Sequence, residues 1–299
     1  MPELPEVETI RRQLAPLVQG RRLERVEILD PRWSRPLAPA ELSAGLEGRR
    51  VESLGRRGKY LLWSLDDDVY LAQHLRMTGS LLWEPFTEPT HVRVRMYLRD
   101  ASGSATARGL HRLLITDPRR FGTGELLLGA EALEAFFAAR LGLDPLDERF
   151  TAEHLRDVAR GRRTPIKALL LDQRRMAGVG NIYADEALHQ AGIHPLRPAG
   201  RLSVGQIAKL REAVIDTLRA GIDARGASID GFRHVDGVRG AFQDEFLVHR
   251  RAGEPCPRCG GEISKILAAG RGTYVCEGCQ PRPRRRRVPR SAPTRASGG

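Results

Sequence analysis

The sequence predicts an α+β protein that has an N-terminal helix, a β-sandwich, a C-terminal helical domain with a helix–two-turns–helix, and a four-cysteine zinc β-hairpin. Three observations support this. Short apolar runs of strand type fill residues 22–128, helical periodicity takes over from residue 131, and all four cysteines form two C-x2-C pairs near the C terminus. We expect an N-terminal sandwich domain at 1–130, a helical domain at 131–235, a mobile loop and zinc hairpin at 236–280, and a disordered basic tail at 281–299.

The first element is an amphipathic helix. Val7, Ile10, Leu14 and Leu17 follow one another in steps of three and four, which places them on one helical face. The spacing predicts a helix that begins after Pro5, runs to about residue 18 and stops at the glycine two residues later.

Short strands follow the helix. Residues 60–65 and 69–75 are strand-like and flank three aspartates at 66–68, which favours a hairpin turn there. Residues 92–98 alternate apolar side chains with arginines, a pattern typical of a strand with one solvated face. The region therefore predicts a β-sandwich preceded by one helix.

The second half has the helical period. Five helices are predicted, at 131–139, 151–160, 166–171, 182–191 and 204–220. Ser203 is suited to cap the last of them and Gly221 to end it. Residues 192–200 contain two prolines and are too long for a tight turn, so a helix, a double turn and a second helix are expected. The glycines of 226–240 indicate a mobile loop.

The four cysteines predict a structural zinc site. Cys256 and Cys259 form one C-x2-C pair and, sixteen residues later, Cys276 and Cys279 form another. Two such pairs can place four thiolates tetrahedrally around one Zn²⁺, with a β-hairpin between them. Two disulfides are the alternative, which a cytoplasmic location disfavours. Four protein ligands leave zinc no open position for catalysis.

The charge points to a polyanionic partner. The net charge is +12 and the pI about 10.3, which favours nucleic acid, although an arginine-rich proteome would give the same composition. Seven arginines and no acid lie in the last twenty residues, a tail that either attracts phosphates or is dispensable. No apolar run is long enough for a membrane span, and three carboxylates in the first ten residues argue against a secretory signal. We therefore expect a cytoplasmic protein with no membrane association.

Six blocks of sequence resemble one known family. In order they are 1–8 (MPELPEVE), 58–60 (GKY), 74–79 (HLRMTG), 117–122 (DPRRFG), 178–184 (GVGNIYA) and 270–273 (GRGT). Together they resemble the formamidopyrimidine-DNA glycosylases, and the resemblance covers residues 1 to about 280. It implies a monomeric, nucleoid-associated bacterial enzyme of base-excision repair that acts on damaged double-stranded DNA. The implied reaction is removal of 8-oxoguanine and formamidopyrimidines, followed by β- and δ-elimination at the abasic site.

The resemblance assigns the nucleophile to Pro2. Removal of Met1 would expose a secondary amine, and α-amino groups titrate near 8, so part of it is unprotonated at neutral pH. The family's mechanism joins this amine to the sugar as a Schiff base. Glu3 would then move protons at the sugar, and Glu6 is a possible further site carboxylate. The structural alternatives are a proline that merely starts the helix and, for Glu6, a carboxylate that stabilises the helix N-terminus.

Two cations complete the implied catalytic set. Lys59, just after a turn, would reach a phosphate and donate a proton, whereas an isolated lysine there would be read as a solvated hairpin charge. Arg271 matches the family's phosphate ligand and its suggested proton donor for δ-elimination.

A further set of residues is implied in DNA binding. Met77, Arg119 and Phe121 match the family's intercalating residues, which fill the gap left when the damaged nucleotide is flipped out. Phosphate or lesion contacts are implied for His91, Arg162, Lys167 and Asn181; Asn181 could instead be a helix N-cap. The chain departs from the family's pattern at His249–Arg250 and at Phe242, which puts its lesion preference in doubt.

Two rival functions are open. One is excision of oxidised pyrimidines, as in endonuclease VIII, against which Leu4 and the intact intercalating set argue. The other is a non-catalytic DNA-binding protein that uses the zinc hairpin and the tail.

Overall fold

Two four-stranded antiparallel sheets pack face to face in the N-terminal half of the computed structural model, which describes residues 2–100, 109–229 and 235–283. The strands are β1 (Arg22–Ile28), β2 (Val51–Arg57), β3 (Tyr60–Leu65), β4 (Val69–His74), β5 (Ser80–Trp83), β6 (Val92–Arg99), β7 (Leu110–Thr116) and β8 (Thr123–Leu128). One sheet has the order β1-β6-β7-β5 and the other β2-β3-β4-β8. The predicted sandwich is confirmed.

The strands follow the sequence signals that predicted them. In β6 the alternation buries Val94, Met96 and Leu98. In the turn between β3 and β4, Asp67 and Asp68 have positive φ values of 56° and 57°, a conformation that Asp tolerates better than most residues.

The first helix, α1 (Leu4–Val18), joins the two halves of the molecule. Its first residue, Leu4, is buried in the core of the helical half, whereas Val7, Ile10 and Leu14 are buried in the sandwich core. Because the same helix belongs to both cores, the N-terminal residues are fixed at the junction of the two halves.

One helix was not predicted. Between β1 and β2 lies α2 (Pro39–Leu46), which buries Leu42 and Leu46 in the sandwich core. The sandwich is thus preceded by one helix, as predicted, and a second helix is inserted after its first strand.

The remaining helices match the periodicity closely. They are α3 (Ala130–Ala138), α4 (Ala152–Ala159), α5 (Ile166–Leu171), α6 (Asn181–Gln190) and α7 (Val204–Asp223). Ser203 caps α7 by accepting a hydrogen bond from the Gln206 N–H, as expected. Gly221 does not end α7, because the helix continues through it and the Tyr183 ring packs where a Cβ would lie.

Helix α3 packs outside the helical core. Its Leu133, Phe136 and Phe137 cover Tyr60 and Leu62 of β3. Helix α3, with which the predicted helical domain begins, therefore packs on the sandwich.

The zinc hairpin consists of β9 (Ser264–Ala268) and β10 (Arg271–Val275), which pair antiparallel. Parts of two other predicted features, residues 230–234 of the mobile loop and 284–299 of the basic tail, lie outside the described residues. Within the described ranges, no helix has the length and the apolar character to cross a membrane.

Candidate active site

A cleft of about 500 Å³ lies between the sandwich and the helical half. It is lined by Lys59, His74, Arg76, Met77, Phe121, Leu171, Gln173, Gly180, Asn181 and Arg271. Five of the residues implied by the sequence therefore lie at one place: Lys59, Met77, Phe121, Asn181 and Arg271. They come from turns of the sandwich, the start of a helix and the zinc hairpin.

The N-terminal segment docks against this cleft through Glu3. The Ile182 N–H donates to Glu3 Oε1 over 3.2 Å, and the Leu4 N–H donates to the Gly178 carbonyl over 3.1 Å. The carboxyl group packs on Gly180 so closely that no Cβ fits there. It therefore lies at the N-terminus of α6, where the helix dipole stabilises negative charge. Glu3 Oε2 is buried and has no hydrogen-bond partner among the described residues.

Pro2 immediately precedes this carboxylate and is itself buried. Glu3, and not Pro2, is the residue that precedes α1 as its cap. The first helical residue is Leu4. Pro2 therefore lies outside the helix.

Glu6 connects three segments around the site. Its carboxyl group accepts hydrogen bonds from the Glu3 N–H (2.8 Å), the Tyr183 hydroxyl (2.6 Å) and the Ala227 N–H (2.8 Å). Burial raises the pKa of Glu6, and the neighbouring Glu3 raises it further. Glu6 thus fixes the start of α1 and also holds the segment that leads into residues 230–234.

Lys59 is a buried residue, so the interpretation as a solvated hairpin charge is wrong: the side chain is only 5% exposed. It follows Gly58, which has a φ of +56° in the turn between β2 and β3. Burial lowers the pKa of Lys59, while Glu3 and Glu6 oppose the shift. A larger fraction of this amine is therefore neutral than in an exposed lysine.

Asp117 organises the loop that presents the predicted intercalating residues. It is buried, and its Oδ2 accepts the N–H groups of Phe121 and Gly122, each over 2.7 Å. Its Oδ1 accepts the Arg119 N–H over 3.2 Å and the Thr78 hydroxyl. One carboxylate thereby links the 117–122 loop to the 76–79 turn.

The three predicted intercalating residues lie near one another at the edge of the cleft. Met77 and Phe121 both line it, and Phe121 is 51% exposed, which is unusual for phenylalanine. The Arg119 guanidinium lies 4.8 Å from the centre of the Phe121 ring. The main-chain carbonyl of His91, whose side chain is exposed, accepts the Asp117 N–H, so His91 lies beside the same loop.

Asn181 and Arg271 meet where α6 contacts the zinc hairpin. The Asn181 side-chain amide donates to the Gly272 carbonyl over 3.1 Å. Asn181 is the first residue of α6 and Gly180 its N-cap, so the alternative that Asn181 is the cap is wrong. Arg271 is exposed to the cleft.

Lys167 and Arg162 lie outside the cleft lining. Lys167 is fully buried, and its Nζ donates to Asp185 and to Thr273 of β10, each over 2.6 Å. Such an ammonium group cannot reach a phosphate here, so the implied DNA contact does not fit this geometry. Arg162 is half-buried at the end of α4 and donates to the Val158 carbonyl over 2.6 Å.

The four cysteines fit a tetrahedral metal site. Their sulfur atoms all lie within 4.8 Å of one another, and none is in a disulfide. The Cys256–Cys279 sulfur separation is 3.8 Å and that of Cys259–Cys276 is 3.4 Å, near the roughly 3.8 Å expected for two thiolates on one Zn²⁺.

Comparisons with known proteins identify the family. Residues 1–124 match the model of the formamidopyrimidine-DNA glycosylase N-terminal domain, 141–232 that family's H2TH domain, and 253–282 a zinc finger found in FPG and IleRS. The formamidopyrimidine-DNA glycosylase of Chloroflexus aurantiacus is 46% identical over 286 residues, which is 94% of this chain and 98% of that protein. The chain belongs to the formamidopyrimidine-DNA glycosylase family. The predicted membership is confirmed, and the four thiolates are the site of one structural zinc ion.

Solved structures of this glycosylase family have the same fold. The MutM (Fpg) protein of Thermus thermophilus is 40% identical with a TM-score of 0.82, over 93% of this chain and 98% of that one. Lactococcus lactis Fpg in complex with abasic-site DNA is 36% identical with a TM-score of 0.84, over 94% and 100%. A further Lactococcus lactis complex, with the same values, contains oxidised-pyrimidine DNA.

The sequence did not predict the roles of two residues that hold the segments around the glycosylase site, Gln173 and Asp117. Gln173 holds the backbone before α6, since it donates to the Val179 carbonyl (2.8 Å) and accepts the Gly178 N–H (2.9 Å). Asp117 carried a local signal, because an aspartate that precedes a proline-containing turn often accepts hydrogen bonds from the following N–H groups. Gln173 carried none.

His74 is a neutral residue of the cleft whose titration will affect stability. Burial lowers its pKa from 6.5 to about 3, and Arg76 and Lys59 contribute in the same direction. Its Nδ1 accepts the Arg76 N–H over 2.9 Å, which requires an unprotonated ring. Because the unfolded chain binds a proton here more readily, stability is fully present above about pH 6.5 and falls as the pH decreases towards 3.

We expect His74→Asn, which keeps an acceptor near the Nδ1 position, to reduce this pH dependence. Between pH 7.5 and pH 5 the native protein should lose about 2 kcal/mol more unfolding free energy than the variant. Urea unfolding at both pH values measures the difference. Equal losses would show that His74 titrates normally in the folded state.

Proposed function

We propose that this chain is a bifunctional DNA glycosylase and abasic-site lyase of base-excision repair that removes oxidised purines, 8-oxoguanine and formamidopyrimidines, from double-stranded DNA. The supporting observation is the convergence of Glu3, Lys59, Asn181 and Arg271 at one cleft, with an exposed Phe121 at its edge. We further propose that it acts as a monomer and that its domains span residues 1–130, 131–235 and 236–280.

The proposed chemistry begins at Pro2. Once Met1 is removed, the lone pair of the proline nitrogen attacks C1′ of the damaged nucleotide, and the base leaves with the electrons of the glycosidic bond and gains a proton. The proline nitrogen then loses its proton, and its lone pair breaks the C1′–O4′ bond, so that the sugar ring opens to an iminium while O4′ takes up a proton. The iminium acidifies a C2′ proton, whose removal expels the 3′ phosphate; a second elimination expels the 5′ phosphate. Glu3 supplies and accepts protons at the sugar. Lys59 contacts a phosphate and donates a proton, and Arg271 protonates the group that leaves in δ-elimination.

DNA binding is proposed to use the loops at the cleft edge. Met77, Arg119 and Phe121 would occupy the space vacated by the flipped nucleotide, which offsets part of the cost of unstacking. Asn181 and Arg271 would hold the phosphates of the damaged strand, and His91 and Arg162 would contact DNA further away.

Oxidised pyrimidines are a second candidate substrate class. A Lactococcus lactis relative binds DNA that contains an oxidised pyrimidine, so the fold accepts such duplexes. Relative single-turnover rates on 8-oxoguanine and thymine-glycol duplexes decide between the classes: faster release of the purine supports our proposal.

Borohydride trapping tests the proposed nucleophile. Full-length protein with a free Pro2 terminus should form a covalent adduct with an 8-oxoguanine:cytosine duplex, and peptide mass spectrometry should locate the adduct on residue 2. Protein with a retained Met1 is the control and should give no adduct. An adduct on Lys59, the buried amine with a lowered pKa, would overturn the assignment of Pro2.

A further inference from the structure

We propose that His189 donates a hydrogen bond from Nε2 to the Cys256 sulfur and thereby slows the release of zinc and fixes the zinc hairpin on α6. His189 is on the last turn of α6 and is only 1% exposed. Its Nε2 lies 3.3 Å from Cys256 Sγ, and Cys256 is also buried. Because both side chains are buried, this contact is shielded from solvent.

The direction of this hydrogen bond follows from the chemistry of the thiolate. A sulfur that binds zinc is deprotonated and can only accept, so the proton must be on His189 Nε2. Nδ1 then carries no proton. It is buried and has no partner among the described residues, as expected for the nitrogen that is left as a weak acceptor.

His189 is not itself a metal ligand in this arrangement. The four cysteine sulfurs form a complete tetrahedral set, and the His189 nitrogens are not part of that group. Its role is to orient the Cys256 thiolate and withdraw charge from it. Partners of this kind typically change metal affinity by about 10- to 100-fold.

The position of His189 on α6 gives this bond a second consequence. Asn181, Asp185 and His189 are spaced four residues apart, which places them on one face of the helix. They contact the Gly272 carbonyl, the Tyr274 N–H (3.4 Å) and Cys256, respectively. This face, which we call the docking face of α6, therefore aligns the zinc hairpin at three points over about 12 Å.

The first C-x2-C pair of the zinc site also contacts the end of the same helix. The Arg258 guanidinium, between the two first cysteines, lies 3.3 Å from the Gln190 carbonyl, where a helix attracts positive charge. His189 is the one docking-face residue that reaches a metal ligand, so it links the zinc site to the helix whose first residue lies in the cleft.

Zinc release from the full-length, zinc-loaded protein tests the proposal. His189→Phe keeps a ring of similar volume and removes the donor; His189→Gln keeps an N–H donor. In excess 4-(2-pyridylazo)resorcinol, His189→Phe should release zinc about tenfold faster than the native protein, and His189→Gln should restore most of the difference. His154→Phe is the matched control, because His154 also has a buried, unpartnered ring nitrogen but lies on α4, and it should release zinc at the native rate.

Two results would overturn the proposal: native release from a folded His189→Phe variant, or release from His189→Gln as fast as from His189→Phe. A measurement on the native protein covers the case in which His189→Phe does not fold. A long-range ¹H–¹⁵N correlation spectrum should show the Nε2–H tautomer of His189, and an Nδ1–H tautomer would contradict the hydrogen bond.

Discussion

Glu3→Gln is expected to lower the single-turnover rate of base release by about 10²- to 10⁴-fold, the usual contribution of a positioned acid or base. Glutamine keeps an oxygen that can accept the Ile182 N–H, and it has the same shape, so the docking of the N-terminal segment should persist. What it removes is the ionisable group: Oε2, which is buried and has no partner among the described residues, is replaced by an amide nitrogen that cannot act as a proton acceptor or as an acid. Affinity for the lesion duplex should change little.

Glu41→Gln is the control for this measurement. Glu41 lies in the first turn of helix α2, where it accepts the Ala38 N–H over 2.8 Å, and it does not line the cleft. Its variant should keep the native rate. If Glu3→Gln stays within about threefold of the native rate, or loses rate only in proportion to affinity, Glu3 is not the proton-transfer group.

Asp185→Asn is expected to destabilise the protein by about 3–5 kcal/mol, because it leaves the buried Lys167 ammonium without a countercharge. Both side chains of this pair are fully buried, and Asp185 Oδ2 also lies 2.9 Å from His249 Nδ1. Burial lowers the pKa of Lys167 and Asp185 opposes that shift, so loss of Asp185 favours a neutral lysine. Denaturant unfolding near pH 7 measures the loss.

The exposed pair of Asp157 and Arg160 supplies the control, since Asp157→Asn should cost less than about 1 kcal/mol. The double variant Lys167→Met/Asp185→Leu should recover much of the lost stability, because two apolar side chains remove both charges together. A cost for Asp185→Asn as small as that for Asp157→Asn would show that the buried Lys167 does not depend on Asp185 as its countercharge.

Features with local causes could be predicted from the sequence. The C-x2-C pairs, the aspartate turn after β3 and the apolar spacing of α1 each specify their structure through residues close together in the chain. The Ser203 cap of α7 is of the same kind. These signals are strong because the conformation and its stabilising group lie within one turn or one strand.

Features with distant causes could not be predicted. The prediction that Gly221 ends α7 fails because this glycine serves packing instead: the Tyr183 ring, from another helix, lies where its Cβ would be. The same limit explains Lys59 and Lys167: a lysine is usually exposed, and only the packing of the two halves buries these two. Helix α2 is short and is held mainly by the sandwich core, so its own sequence gives a weak signal.

The fit of the N-terminal segment against Gly178 and Gly180 restricts how the two halves of such an enzyme can be recombined. Leu4 covers the face of Gly178 and the Glu3 carboxyl covers Gly180, so a methyl group at either glycine would push the N-terminal segment away. A chimera that joins the sandwich of one relative to the helices of another therefore has a simple requirement. Wherever the crossover lies between the halves, both glycines must be compatible with the first four residues.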